Sequence, residues 1–212
     1  MSVPLLLPRD MRTAAYQTLS AKTKPADASL PEALPYVLYD TQTYPLAGQV
    51  ADLQFFTTVN ADKTLSNIET PNSLPAPQFF DIHRIFLDFL SAAPVSNAAA
   101  PAGVANDIEL ILKTARMTFT FTLASKVLGP IPATFLGYSG GASAQLGTTS
   151  AANTAQQANG SDNGGFPVNG AITLPPTQTF RLTASFQSTL VPVSQNTLLR
   201  VSFLGVLYRK VA

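Results

Sequence analysis

Cysteine is absent from this chain of 212 residues, and histidine occurs once. Without thiols there are no disulfides, no thiolate nucleophiles and no Cys-based zinc or iron–sulfur sites. The redox compartment stays open, because proteins of oxidising compartments also dispense with cysteine. Charge is scarce as well: Asp, Glu, Lys and Arg make up 12% of the chain, against about 25% in an average soluble domain. A formal net charge of +1 provides no general attraction to nucleic acid or an anionic membrane. No apolar stretch approaches the ~20 residues of a membrane-spanning helix. The start, Met1-Ser2-Val3-Pro4-Leu5-Leu6-Leu7-Pro8, is not expected to act as a signal peptide. It has no basic region ahead of its apolar patch, and two prolines bracket only three leucines.

What is present is apolar and punctuated. Hydrophobic residues reach 46% and prolines number 17, and the apolar residues fall in ordered-looking runs, which argues against disorder. A chain of this length suits one large β domain and is expected to bury roughly 70% of its unfolded surface. Sparse charge then has two readings: an exterior covered by neighbouring copies, or a neutral surface of Ser, Thr, Asn and Gln.

Residues 1–33 read as an extended N-terminal arm. Pro4, Pro8, Pro25 and Pro31 interrupt it, a short helix is possible over residues 10–20, and Arg9, Arg12, Lys22 and Lys24 outweigh Asp10. In an isolated chain such an arm is a tail; in an assembly these four cations are candidate contacts to a neighbouring subunit, or to membrane or genome on an inner face. Residues 34–212 read as a single β-sandwich domain. Tyr36-Val37-Leu38-Tyr39 and residues 50–57 are rich in strand formers. Residues 79–90 suit a strand with a bulge near Arg84, although Ile82, Ile85, Phe86 and Phe89 also fit a helical stripe; aromatic and β-branched enrichment favours strand. Asn106 and Asp107 can cap a short helix through Lys113. The clearest signal follows: Met117, Phe119, Phe121 and Leu123 alternate with Thr118, Thr120 and Thr122, a strand with one apolar and one hydroxyl face. Residues 140–165 are small and polar, without Lys or Arg, and read as a long exposed loop. Asn169-Gly170 predicts a tight turn before a strand at 171–174. Phe180, Leu182, Ala184 and Phe186 alternate with Arg181, Thr183, Ser185 and Gln187, and residues 198–211 are apolar on both faces, as in a central strand. About eight short strands between Pro/Gly turns predict a mainly all-β sandwich, with the jelly roll as the commonest large variety.

Sites for chemistry are thin. His83 lies between Asp81 and Arg84, but no Gly-x-Ser-x-Gly elbow supplies it with a nucleophile, and a strand residue satisfied by a neighbour is the plainer reading. One histidine cannot build a typical zinc site. Glycoside hydrolysis needs two suitably spaced carboxylates; Asp81 and Asp88 would stand roughly 20 Å apart along a strand, and Asp107 and Glu109 read as helix-start residues. Gly140-Gly141 lacks the Lys-Ser/Thr of a phosphate loop. Ser161-Asp162-Asn163-Gly164 lacks the spaced carboxylates of a calcium loop. Asn159-Gly160-Ser161 fits a glycosylation acceptor, which matters only in a eukaryotic secretory route. No cofactor, metal or small-molecule substrate is expected, and an enzyme is not.

Several segments resemble jelly-roll virion structural proteins of bacterial viruses. They are Leu65-Ser66-Asn67-Ile68-Glu69 through Ser73-Leu74-Pro75-Ala76-Pro77-Gln78-Phe79-Phe80-Asp81-Ile82, then Ala124-Ser125-Lys126-Val127-Leu128-Gly129-Pro130-Ile131-Pro132, then Leu174-Pro175-Pro176-Thr177-Gln178-Thr179-Phe180, and Arg200-Val201-Ser202-Phe203-Leu204-Gly205-Val206-Leu207-Tyr208-Arg209. The resemblance implies a capsid subunit located in the virion, assembling with copies of itself and other virion proteins. The alternative is a receptor- or carbohydrate-binding spike module on the same fold, for which Tyr138 beside the long loop is the candidate aromatic contact.

Overall fold

Alternation of apolar and polar side chains becomes strand where one face can be buried, as β4 and β9 below show. The computed structural model describes residues 31–48, 50–91, 107–108, 110–136, 143–144, 156–157, 165–188, 192–193 and 196–210. The strands are β1 (Pro31–Tyr44), β2 (Asp52–Phe55), β3 (Phe79–Ser91), β4 (Met117–Leu123), β5 (Lys126–Pro132), β6 (Ser143–Ala144), β7 (Gln156–Gln157), β8 (Phe166–Leu174), β9 (Phe180–Phe186) and β10 (Thr197–Lys210). They form two four-stranded antiparallel sheets, ordered β1-β10-β3-β8 and β2-β9-β4-β5, and a small β6-β7 hairpin. The chain is thus mainly β, an antiparallel sandwich. Its pairs β1–β10, β2–β9, β3–β8 and β4–β5 follow one another like the rungs of a single long ribbon, with alternate rungs assigned to alternate sheets.

The core lies between the sheets. Strand β4 buries Met117, Phe119 and Phe121 while its threonines stay half-buried, and β9 buries Phe180, Leu182, Ala184 and Phe186. Across the gap, β10 contributes Leu199, Val201, Phe203 and Leu207, and β3 contributes Phe80, Ile82, Ile85 and Leu87. Phe203 stacks on Phe56 at 4.6 Å between ring centroids and meets Phe121 edge-on at 5.8 Å. Such aromatic pairs add about 0.5–1.5 kcal/mol beyond the area they bury. Strand β10 is central and buried on both faces, as its two-sided apolar pattern requires: Val206 and Tyr208 form a separate outer-face cluster with Phe79, against which Ala33 packs.

Several expectations are refined. Residues 79–90 form a strand with a bulge at His83: Arg84 pairs with Leu204 and Ile82 with Gly205, so His83 is the extra residue, one position from the expected slip. The bulge presses β3 onto its neighbour. A Cβ at Gly205 would lie 1.8 Å from the carbonyl oxygen of Asp81, so close backbone approach, not turn geometry, demands glycine here. Asn169-Gly170 does not terminate a strand. It lies inside β8, where the register to β3 jumps between the Ile82–Ile172 and Arg84–Pro167 pairs; the turn chemistry is absorbed as an in-strand irregularity. The short helix expected through Lys113 is present as helical residues Asp107 and Ile108 and, differing in type, a π-helical turn over Leu110–Thr114, in which the Ala115 N–H bonds the carbonyl of Leu110 at 2.8 Å. Strand β1 begins at Pro31, so residues 31–33, assigned to the arm, pair with β10 instead. The rest of the arm, most of the 140–165 loop apart from β6 and β7, and Asn106 lie outside the described residues.

Substituting Gly205→Ala is expected to lower the unfolding free energy by about 3 kcal/mol through backbone overlap. Phe203→Ala is expected to cost about 3–5 kcal/mol through a cavity between the sheets. Denaturant titration of both variants against the parent chain measures these losses.

Candidate functional site

A sandwich of two open sheets has edges, and each edge strand carries unpaired N–H and C=O groups that invite another chain. The four edge strands here are β1 and β8 in one sheet and β2 and β5 in the other. Three of them, β1, β2 and β5, are shaped by identifiable side chains.

Strand β1 is closed by the loop of residues 56–78. Its Asn67 stands in for a neighbouring strand: Oδ1 accepts the Tyr39 N–H at 2.8 Å, Nδ2 donates to the Val37 carbonyl at 2.7 Å, and the Asn67 N–H donates to the Tyr39 carbonyl at 3.2 Å. The loop is shaped by its own side chains. Asn60 accepts from the Asp62 N–H at 2.9 Å, and Asp62 accepts from both the N–H and hydroxyl of Thr64 at 2.8 and 2.7 Å, the local turn chemistry typical of Asn and Asp. Those bonds favour the ionised carboxyl and hold Asp62 below the usual carboxylate range, the Thr64 hydroxyl being the larger cause and its N–H the next. Arg200 of β10 ties the loop down from the sheet side. Its guanidinium lies 4.9 Å from the Tyr39 ring centroid, Nε donates to the Thr41 hydroxyl at 3.1 Å, and Nη2 donates to the Thr64 carbonyl. Tyr39 in turn donates its hydroxyl to the Lys63 carbonyl, and Thr41 donates to that of Leu65 at 2.6 Å.

Strand β2 is only four residues long, and Phe56 directly after it, with a φ of 67°, turns the chain away. The Phe56 N–H donates at 2.6 Å to the buried carboxylate of Asp40 on β1, which joins the two sheets along this side. Strand β5 is different. Six of its seven residues are exposed, and Pro130 and Pro132 lack the N–H groups that strand addition would use. The edge is therefore poor for backbone pairing yet apolar: Val127, Leu128 and the nearby Phe135 are exposed.

Two surface cavities lie among the described residues of this side. One of about 310 Å³ is lined mainly by neutral hydroxyl and amide groups of Thr41, Gln42, Thr43, Thr58 and Asn60, with Asp40 at its base. One of about 100 Å³ lies between the loop and β1, lined by Tyr36, Glu69, Gln78 and Arg209; the Tyr36 phenol there is pushed above its ordinary range, first by burial and then by the charge of Glu69. Asp81 is fully buried and accepts the Thr173 hydroxyl at 2.5 Å. Asp81 and Asp88 pair with Val206 and Arg200 and so share one face, roughly 20 Å apart along the strand. His83 is half-buried at the bulge. Asp107 is buried. No three metal-ligating side chains come together among the described residues. Arg9, Arg12, Lys22, Lys24, Tyr138, Gly140, Asn159 and Asp162 lie outside those residues. Sequence reasoning missed Asn67 and Arg200, because a strand partner 28 residues away and a side chain bridging 136 residues leave no local pattern. Compared with known proteins, the chain matches no family profile, no curated protein and no solved structure.

Asn67→Ala is expected to cost about 1–2 kcal/mol, since the Tyr39 and Val37 groups lose their partner, and to speed hydrogen exchange at the Tyr39 amide severalfold. Thr64→Ala is expected to raise the Asp62 pKa toward its ordinary value, followed by carboxyl-carbon NMR. Because the folded pKa is lowered, the Asp62 contribution to stability is present above the unfolded value. It is lost as pH falls through the folded one.

Proposed function

We propose that this chain is a structural virion protein: a capsid shell subunit, built as a single jelly roll, that self-assembles or co-assembles with other coat proteins. The strand order carries this reading. Counting the eight principal strands in sequence, the sheets run 1-8-3-6 and 2-7-4-5, the winding of one antiparallel ribbon into two layers that characterises jelly rolls, a fold of viral capsid and lectin domains among others. Fold alone does not assign function. The shell role is favoured over other jelly-roll roles by the chemistry of the exterior: 12% charged residues, exposed apolar side chains such as Val127, Leu128 and Phe135, and a β5 edge whose prolines disfavour strand addition. The segment before β1 enters at the sheet edge, where an arm bearing Arg9, Arg12, Lys22 and Lys24 can reach a neighbour, the genome or an underlying membrane.

A second reading, a receptor- or carbohydrate-binding module, draws on the groove of Thr41, Gln42, Thr43, Thr58 and Asn60, whose neutral hydroxyl and amide groups suit a polyol. It has no aromatic platform among its lining residues.

The mass distribution of the purified chain by light scattering, followed by negative-stain microscopy of any large species, tests the proposal. Closed particles or lattice sheets, formed alone or with a co-purified coat protein, are expected. A discrete monomer or small oligomer that never grows under either condition would overturn the shell reading and leave the binding module.

A further inference from the structure

Three chain segments meet where β4 ends and β9 begins: the loop at Asn72, the β4–β5 hairpin at Ala124 and the residues leading into β9. Backbone bonds stitch them together. The Phe180 N–H donates to the Asn72 carbonyl at 2.7 Å, and the Ala124 N–H donates to that of Thr179 at 2.8 Å. Between the segments lies a cavity of about 250 Å³, lined by Asn72, Thr122, Ala124, Thr179, Phe180 and Arg181. It shares no lining residue with the groove of Thr41 and Asn60. Phe180 is 1% exposed and belongs to the core, whereas Thr179 and Arg181 are exposed. Thr122 is the direct cross-strand partner of Arg181, which places their Cβ atoms about 5 Å apart on one face.

An arginine without a partner dominates the chemistry of this cavity. Arg116 donates to Gln187, Arg200 to Thr41 and Thr64, and Arg209 to Glu32. Arg181 makes no hydrogen bond or ion pair with any described residue, and no acidic residue lines its cavity. Lys126, on the same hairpin as Ala124, is exposed as well and adds to the positive potential.

We infer that this cavity binds a sugar carrying an oxyanion group, with Arg181 holding the charged group and Thr122, Thr179 and Asn72 meeting the hydroxyls. A guanidinium presents its donors as a fork that matches carboxylate, sulfate and phosphate. Threonine hydroxyls both donate and accept, as does an asparagine amide, so they pair with ligand hydroxyls in either sense. Volume separates such a ligand from a bare ion. The 250 Å³ of the cavity holds on the order of eight waters at ~30 Å³ each, well beyond the size of a single phosphate. Binding of this kind is independent of the shell role, since a shell subunit and a spike module can each carry it.

Saturation-transfer NMR on the full chain tests the site, because it reads weak ligand binding whether the chain is free or assembled. The probes are glucuronate, glucose 6-sulfate and glucose 6-phosphate, which share a hexose ring and differ in the oxyanion, with glucose as the neutral control. At least one charged probe is expected to give a saturable signal and to bind about tenfold more tightly than glucose. Arg181→Gln is expected to bring that probe down to the level of glucose, and Arg181→Lys to retain part of the difference. Both variants are expected to keep the melting temperature of the parent chain, since an exposed side chain without bonds is exchanged. Silence of all three charged probes, binding no tighter than that of glucose, or unchanged binding by Arg181→Gln would each overturn the inference.

Discussion

Phe203 sits where the two sheets meet. It projects from the centre of β10 in one sheet and packs between Phe56, just after β2, and Phe121 of β4 in the other. Phe56 in turn contacts Phe180 at 5.7 Å, so one aromatic group gathers residues from β2, β4, β9 and β10. Stacked and edge-on rings bury large apolar surface with defined geometry, which sets both the gap between the sheets and their relative register. Phe56 reaches this position because β2 stops there with a left-handed backbone and its N–H is taken up by the buried Asp40 carboxylate. A residue that would otherwise continue an edge strand is turned inward to hold the layers together.

The same turn launches the loop that closes β1. Once the chain leaves Phe56 it runs through Asn60, Asp62 and Thr64 turns and returns along β1, where Asn67 satisfies the backbone groups of an edge strand. Core and surface are thus linked. The aromatic group fixes where β2 ends, the end of β2 fixes where the loop starts, and the loop caps the β1 edge at Val37 and Tyr39. On the far side, prolines do the equivalent work for β5 without covering its apolar side chains. Parts of two edges are thus made poor templates for another strand, one by the amide of Asn67 and the other by Pro130 and Pro132.

Much of the fold was legible because strands announce themselves with a period of two. Met117 to Leu123 matches β4 to the residue, Phe180 to Phe186 forms β9, and the two-sided apolar pattern of residues 198–211 correctly anticipates a central strand. The bulge in β3 was visible as a slip in alternation, placed one residue from His83. Where reading failed, the cause was tertiary. Asn169-Gly170 has turn chemistry, yet the residues on either side, Phe166 and Pro167 before and Ile172 to Leu174 after, pair with β3 and keep the dipeptide within β8. Pro31 looks like part of an arm, but β10 extends far enough to pair with it. Residues 107–114 carry helix-start signals, and the chain forms a wider π-helical turn that delivers Ala115 buried to the start of β4.

Composition and periodicity by themselves determined the mainly β class, the strands of strongest alternation and the exclusion of thiol chemistry, because those properties depend on residue type and spacing of two to eight positions. The strand order, the inter-sheet role of Phe203 and the capping of β1 at Val37 and Tyr39 by Asn67 were decided only by the tertiary structure. Each joins residues tens to more than a hundred positions apart. Such pairings are selected by the joint burial of both faces and the satisfaction of every edge group, constraints that exist only when the whole sandwich is assembled.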